Sequence, residues 1–330
     1  MKIASLFAGA GGLDKGFENA GFTVEWANEY DKTIWETFRK NFPKTRLDER
    51  SIRDVDSQEI KSFGHFDGLV GGPPCQSWSL AGSMKGIEDQ RGSLFYEYLR
   101  VLSDIEPKFF LAENVPGLIS KRHIGEYKKI VAEFEKRGYQ VTEGKVNASD
   151  YGVPEDRERV IIVGFHKDLN RKFIFPERTH NKLKKVTLKQ AIGDLPEPVA
   201  ALPGNNANSN LKIPNHEYFT GAFSSRFMSR NRIRGWDEQA YTIEASGRHA
   251  KLHPSAPPMK KINKDEWIFE KGSEHKYRRL SIRESARIQT FPDNFIFHYS
   301  KVNDGYKMVG NAVPVKLAEA FANEILKQIA

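Results

Sequence analysis

The chain of 330 residues contains one cysteine, Cys75. A lone thiol excludes an internal disulfide framework and a cysteine-rich zinc site, and nothing else in the sequence suggests a metal centre. No apolar run approaches the roughly 20 residues that a membrane-crossing helix requires. The opening stretch, Met-Lys-Ile-Ala-Ser-Leu-Phe-Ala-Gly, begins with a strand pattern and lacks the apolar region and cleavage site of a secretory signal. These absences predict a soluble, cytoplasmic protein with no membrane partner. Acidic residues are in the minority, 43 against 51 Lys and Arg, and the net charge of +8 favours a polyanionic partner.

What is present is enough apolar residue, 39% of the chain, to bury a large core with a smaller lobe beside it. Lys2 to Phe7 reads as a buried strand, followed by the turn Ala8 to Gly12 and a helical pattern through Leu13, Phe17 and Ala20. Strand, glycine turn and helix in that order suit a nucleotide-like ligand at a helix N-terminus, although the same glycines suit a plain tight turn. Gly9, Gly11 and Gly12 do not follow G-x-G-x-x-G, so a nucleoside cofactor without a pyrophosphate is favoured over a dinucleotide. A second strand, Thr23 to Asn28, ends in Glu29 and Tyr30, and an acid at that place would grip a ribose hydroxyl pair.

Further strands fit Asp67 to Gly71, Phe109 to Asn114 and Val160 to Phe165, with helical patterns near Leu94 to Leu102 and Tyr127 to Arg137. The alternation predicts an α/β fold with a doubly wound, Rossmann-like sheet. The first of these stretches, continued as Asp-Gly-Leu-Val-Gly-Gly-Pro-Pro-Cys-Gln-Ser-Trp-Ser, delivers Cys75 at a rigid strand end, because two prolines fix the backbone and remove two amide donors. Such a thiol suits a nucleophile facing a pocket; the bland reading is an inert buried cysteine. Glu113 follows four apolar residues and reads as a site acid. Arg157 and Arg159 stand two apart at a strand start and should share a side, unless they belong to a solvated charge run.

Taken together, Phe-Ala-Gly-Ala-Gly-Gly at 7 to 12, Gly-Gly-Pro-Pro-Cys-Gln at 71 to 76, Glu-Asn-Val at 113 to 115, Arg-Glu-Arg at 157 to 159, the run from Arg278 to Pro292 and Gly-Asn-Ala-Val-Pro at 310 to 314 resemble the cytosine-5 DNA methyltransferases. The resemblance spans nearly the whole chain. It implies S-adenosylmethionine as cofactor and double-stranded DNA as partner, with Cys75 as the nucleophile that adds to carbon 6 of a flipped-out cytosine. Glu113 would protonate the ring near nitrogen 3, Asn114 would help to orient Glu113, and Arg159 with Arg157 would hold the ring carbonyl and the Glu113 carboxylate. The cofactor pocket implied is Phe7, Gly9, Gly12, Glu29, Tyr30, Ser51, Ile52, Pro74, Leu94, Asn311 and Val313. Two departures stand out: Ser51, with Asp54 as competitor, occupies the place of an adenine-reading aspartate, and Glu155 replaces a glutamine, adding negative charge beside DNA.

By the same resemblance the chain divides into a catalytic and cofactor domain at 1–178, an irregular target-recognition domain with hinge at 179–302, and a C-terminal segment at 303–330 that completes the catalytic domain. Gln76 and Ser79 would touch DNA in a closing loop. Arg230, Arg232 and Arg248 would read bases, since arginine forks match guanine in the major groove. Long stretches such as Pro-Asn-His-Glu-Tyr-Phe and Phe-Met-Ser-Arg-Asn-Arg resemble a member that methylates the inner cytosine of GGCC. The resemblance further implies a monomer serving a restriction-modification system, whose nuclease acts on the same site without contact. A tRNA cytosine methyltransferase on the same scaffold is the enzymatic alternative, and a silent DNA-binding module the non-enzymatic one.

Overall fold

The computed structural model describes residues 1–74, 92–181 and 183–329. Two compact units emerge. The first comprises Met1–Asn147, Glu158–Glu177 and Leu317–Ala330; the second comprises Ala148–Arg157 and Arg178–Lys316. Their boundaries fall within 147–158, at 177/178 and at 316/317, where the sequence reading draws them at 178/179 and 302/303.

The first unit is built on a seven-stranded sheet. Its strands are β1 (Lys2–Leu6), β2 (Thr23–Asn28), β3 (Arg46–Asp48), β4 (Gly68–Gly71), β5 (Phe109–Asn114), β6 (Tyr139–Asn147) and β8 (Glu158–His166), while β7 (Glu155–Asp156) belongs to the second unit. The order is β3-β2-β1-β4-β5-β8-β6. Strands β3 through β5 run parallel, and β8 is antiparallel to both β5 and β6. The arrangement is a mixed α/β sheet. The short β3 and the nine-residue β6 have no clean apolar pattern; β6 alternates buried and exposed positions, as expected at a sheet edge.

Chain order reverses between β1 and β4, and ligands of open α/β sheets bind beyond the carboxyl ends of strands at such a reversal. Register brings the strand ends level: Leu6 pairs with Asn28 on one side and Gly71 on the other, and Gly71 pairs with Ala112. The segments that follow β1, β2, β4 and β5 therefore leave the sheet at one edge. Behind that edge lies the core, where Phe110 stacks on Phe134 at 4.2 Å between ring centroids. Tyr98, fully buried in the helix Gly92–Ile105, donates to the carbonyls of Leu69 at 3.2 Å and Leu111 at 3.1 Å, which locks that helix over β4 and β5.

The second unit carries little regular structure. Its order comes from buried arginines donating to carbonyls. The helix Ile282–Ile288 begins with a capping box of Ser281 and Glu284, and buried Glu284 receives both Nη atoms of Arg278 at 2.9 Å. Arg283 donates to Phe295 O at 2.9 Å and Pro214 O at 3.1 Å. Arg279 lies 4.0 Å over the Phe223 ring and donates to Gly221 O at 3.0 Å, and burial pushes its guanidinium down to about 10. Among the described residues no helix is long and apolar enough to cross a membrane, and no cluster of His, Cys, Asp or Glu could hold a metal ion.

Candidate active site

The glycine turn after β1 is shaped by three left-handed residues, Phe7 at φ 55°, Gly9 at 57° and Gly11 at 87°. Gly11 admits no other residue, because a Cβ there would collide with the Phe42 ring. Glu29, at the end of β2, holds the turn closed: Oε2 accepts from Gly9 N at 2.9 Å and Oε1 from Asp31 N at 2.7 Å. Tyr30 beside it is 72% exposed. Ile52 is buried, and Ser51 accepts from Arg53 N at 3.4 Å as the cap of the turn Ile52–Asp54, leaving Asp54 exposed. A tight turn of backbone amides, an acid at the second strand end and an uncovered aromatic face together fit a nucleoside cofactor. Asn311 and Val313 lie in the second unit, Asn311 exposed as the last residue of the helix Val302–Asn311 and Val313 buried.

Asp14 is a buried acid beside the glycine turn that sequence reasoning passed over. An acid in the first turn of a helix looks like an ordinary complement to the helix dipole. Here it is wholly buried just after the glycine turn, and neither carboxyl oxygen finds a hydrogen bond of ordinary geometry among the described residues. Burial, with smaller contributions from the Glu18 and Glu29 carboxylates, pushes it up to about 7, and the neighbouring Ser5 hydroxyl offsets only part of this.

At the end of β5, Glu113 and Arg159 meet. Arg159 Nε stands 2.6 Å from Glu113 Oε1, with both side chains about nine-tenths buried. Arg159 Nη1 donates to Glu158 O at 2.7 Å. Gly72 abuts this pair, since a Cβ there would sit 3.3 Å from Glu113 Oε2. A small pocket beside it is lined by Pro73, Pro74, Phe95, Leu118 and Ile130 together with Glu113. Leu94 is half-buried in the helix that carries Phe95. Cys75, Gln76 and Ser79 lie outside the described residues.

Several expectations need correction. Asn114 does not orient Glu113: its Nδ2 donates to Pro73 O at 2.9 Å and its Oδ1 accepts from Val115 N at 2.9 Å. Successive strand residues point to opposite faces, so the Asn114 side chain is directed away from that of Glu113. Arg157 falls in the break between β7 and β8, so the period-two alternation that would align it with Arg159 is interrupted. It is buried in the second unit, where its Nη atoms donate to Gly310 O at 2.8 Å, Ala312 O at 3.0 Å and Ile243 O at 3.2 Å. Glu155 is likewise fully buried, accepting from Ile243 N at 2.7 Å, with Arg157 3.4 Å away, so its charge is neutralised inside the unit and not presented to DNA.

Of the three arginines expected to read bases, Arg230 and Arg248 are exposed on the second unit. Arg248 stands at a groove of about 410 Å³ lined by Asn205, Phe219, Thr220 and Phe223. Arg232 differs. It is buried, its Nε donates to Phe227 O at 2.7 Å and its Nη2 to Arg226 O at 2.8 Å. Its fork supports the segment from Arg226 to Arg232 and is not offered to a base edge.

Comparison with known proteins matches residues 1–327 to a family described as C-5 cytosine-specific DNA methylase. The type II methyltransferase M.MthTI of Methanothermobacter thermautotrophicus is 55% identical over 330 residues, spanning 100% of this chain and 98% of that protein. M.FnuDI of Fusobacterium nucleatum, also a type II methyltransferase, is 56% identical, spanning 98% and 94%. Among solved structures, the S. pombe Dnmt2 methyltransferase shares the fold with a TM-score of 0.69 at 18% identity, covering 99% of this chain and 98% of that one.

Proposed function

Since the chain belongs to the C-5 cytosine-specific DNA methylase family and is a DNA (cytosine-5-)-methyltransferase of the type II class, we propose that it methylates the inner cytosine of GGCC through a covalent adduct with Cys75. The family uses S-adenosylmethionine, and the glycine turn, Glu29, Tyr30, Ile52 and Pro74 are the residues that would hold it. When bound, this cofactor supplies a methyl group made electrophilic by a positive sulfur.

The protein's own residues make carbon 5 nucleophilic. The Cys75 thiolate forms a bond to carbon 6, and the electron pair displaced toward the ring carbonyl and nitrogen 3 is met by a proton from Glu113. Arg159 holds the Glu113 carboxyl in place and offers donors to the carbonyl oxygen. Once carbon 5 has gained its methyl group, its proton leaves to a base, the carbon 6 to sulfur bond breaks and the thiolate is restored. The observation that carries this reading is the Glu113 and Arg159 pair set against Gly72, three residues before the nucleophile. Asn114, anchored to Pro73 O, fixes the same segment from the other side.

Two further elements of the reading come from the sequence. The stretches that resemble the HaeIII modification methylase support GGCC, and the exposed Arg230 and Arg248 are the base readers. A cytosine in a duplex must be flipped out at a cost of a few kcal/mol, and Gln76 and Ser79 belong to the loop that would attend this step. Double-stranded DNA is the substrate, a monomer acts on it, and a nuclease of the same specificity is its counterpart.

The deciding experiment is base-resolution sequencing of methylated cytosines in unmodified DNA incubated with the protein and S-adenosylmethionine. Methylation confined to the inner cytosine of GGCC is expected, and absent in Cys75→Ser. Another motif would overturn the specificity while leaving the chemistry, and a fully active Cys75→Ser would end the covalent mechanism.

A further inference from the structure

Two arginine-bearing segments of the second unit are tied to a single carboxylate. One segment turns through Phe227–Ser229, with Arg226 and Arg230 exposed at its ends. Arg232 braces it from behind through the Phe227 and Arg226 carbonyls, its guanidinium 5.0 Å from the centroid of the Phe227 ring. The other segment turns through Gly247–His249 and exposes Arg248. Glu244 reaches both: Oε1 lies 3.8 Å from Arg232 Nη1 and pairs with Lys251 Nζ, and Oε2 lies 3.5 Å from His249 Nδ1. A backbone bond from Leu252 N to Arg232 O at 3.3 Å runs alongside.

The charges make this carboxylate more than one contact among several. Arg232 and Lys251 are each 7% exposed at the side chain, and both feel repulsion from Arg230. Cations of like sign this well shielded from water need a counter-charge at close range, and the Glu244 carboxylate, 39% exposed, lies within 3.8 Å of both. Glu244 supplies that counter-charge to both segments at once. Without it, Arg230, Arg232 and Lys251 are left to repel one another across the two turns.

We propose that Glu244 is a positioning residue for sequence discrimination, holding the Arg230 and Arg248 segments in the register that lets both arginines read the target together. The inference rests on the reading of those two arginines as base readers. Its test keeps the two separable. Discrimination is the ratio of kcat/KM on the target duplex, as found by methylation sequencing, to kcat/KM on duplexes changed at one guanine position. Each bidentate contact is worth about 1 to 3 kcal/mol, so Arg230→Ala and Arg248→Ala should each relax one position by roughly five- to 150-fold.

Glu244→Gln is expected to relax both positions by about tenfold, with kcat on the target and the S-adenosylmethionine dissociation constant little changed. It should also abolish the non-additivity of Arg230→Ala with Arg248→Ala. Relaxation by the arginine variants with discrimination intact in Glu244→Gln overturns the inference and leaves the readers standing. No relaxation in either arginine variant overturns the readers, and this inference with them. A uniform loss on all duplexes, accompanied by a lower melting temperature, marks a merely structural residue and also overturns it. Should Glu244→Gln fail to fold, His249→Gln removes only the outer arm; it is expected to relax the position read by Arg248 alone, and unchanged discrimination there is the contrary result.

Discussion

Arg159 and Glu113 come from neighbouring antiparallel strands and join at 2.6 Å, the guanidinium Nε against one carboxyl oxygen, in a site that is nearly closed to water. A guanidinium this close to the carboxyl fixes its position. Removing the acid should therefore damage the chemical step. Glu113→Gln is expected to lower kcat by about 10² to 10⁴ while leaving the S-adenosylmethionine dissociation constant within a few-fold, measured by single-turnover methylation and equilibrium binding. Arg159→Lys keeps the charge and loses the planar fork, so its kcat should fall as well, by a smaller factor.

Asn114 predicts a different signature. Its amide holds the Pro73 carbonyl at 2.9 Å, two residues before the nucleophile. Asn114→Ala should cost about 1 kcal/mol of stability, the net worth of one hydrogen bond. The rate should suffer more than that figure suggests, because a misplacement of about 1 Å can cost 10²-fold. A variant with wild-type kcat and a reduced melting temperature would refute a positioning role.

Gly310 tests the second unit. A Cβ at this position would collide with the backbone of Glu244 and Ala245, and its carbonyl is held by buried Arg157 at 2.8 Å. The obstructing atoms are main chain and cannot rotate away. Gly310→Ala should destabilise the protein by about 1 to 3 kcal/mol, read as a lower midpoint in urea with an unchanged slope.

Asp14 gives a pH dependence of definite sign. Its folded pKa, about 7, lies above the ordinary value of 3.8. The unfolded chain thus releases this proton near pH 4 while the folded protein keeps it until about pH 7. The group's contribution is fully present below pH 4 and is lost progressively as pH rises between these two values. Asp14→Asn removes the titration, so the stability of the variant relative to wild type should rise across that interval and level off above it. Urea unfolding at pH 4.5, 5.5, 6.5 and 7.5 measures the trend; a constant difference would contradict it.

Much of the site was legible because its parts sit at strand ends. Glycines and prolines mark where β1 and β4 stop, Glu29 stands out as an acid at a strand end, and Glu113 as an acid after an apolar run. Strands β2 and β5 match their expected limits to the residue, since each ends at a polar residue, Asn28 and Asn114. The short β3 and the alternating β6 were missed, as neither contains a continuous apolar signal. The second unit was legible only as an irregular, arginine-bearing region, because its order depends on side chains reaching carbonyls far away in sequence.

The sequence by itself determined the class of sheet, the family and the set of chemical groups available, since each follows from local residue type, spacing and motif order. Only the tertiary structure decided which of several similar groups does which task. Arg157 and Arg159 are two residues apart, yet one is buried among the carbonyls of Ile243, Gly310 and Ala312 and the other pairs with Glu113. Arg230 and Arg232 divide in the same way, one exposed and one buried beneath the turn it supports. The physical reason is that a guanidinium's role is set by the acceptors within about 3 Å of it, and those acceptors come from chain segments whose proximity no local pattern encodes.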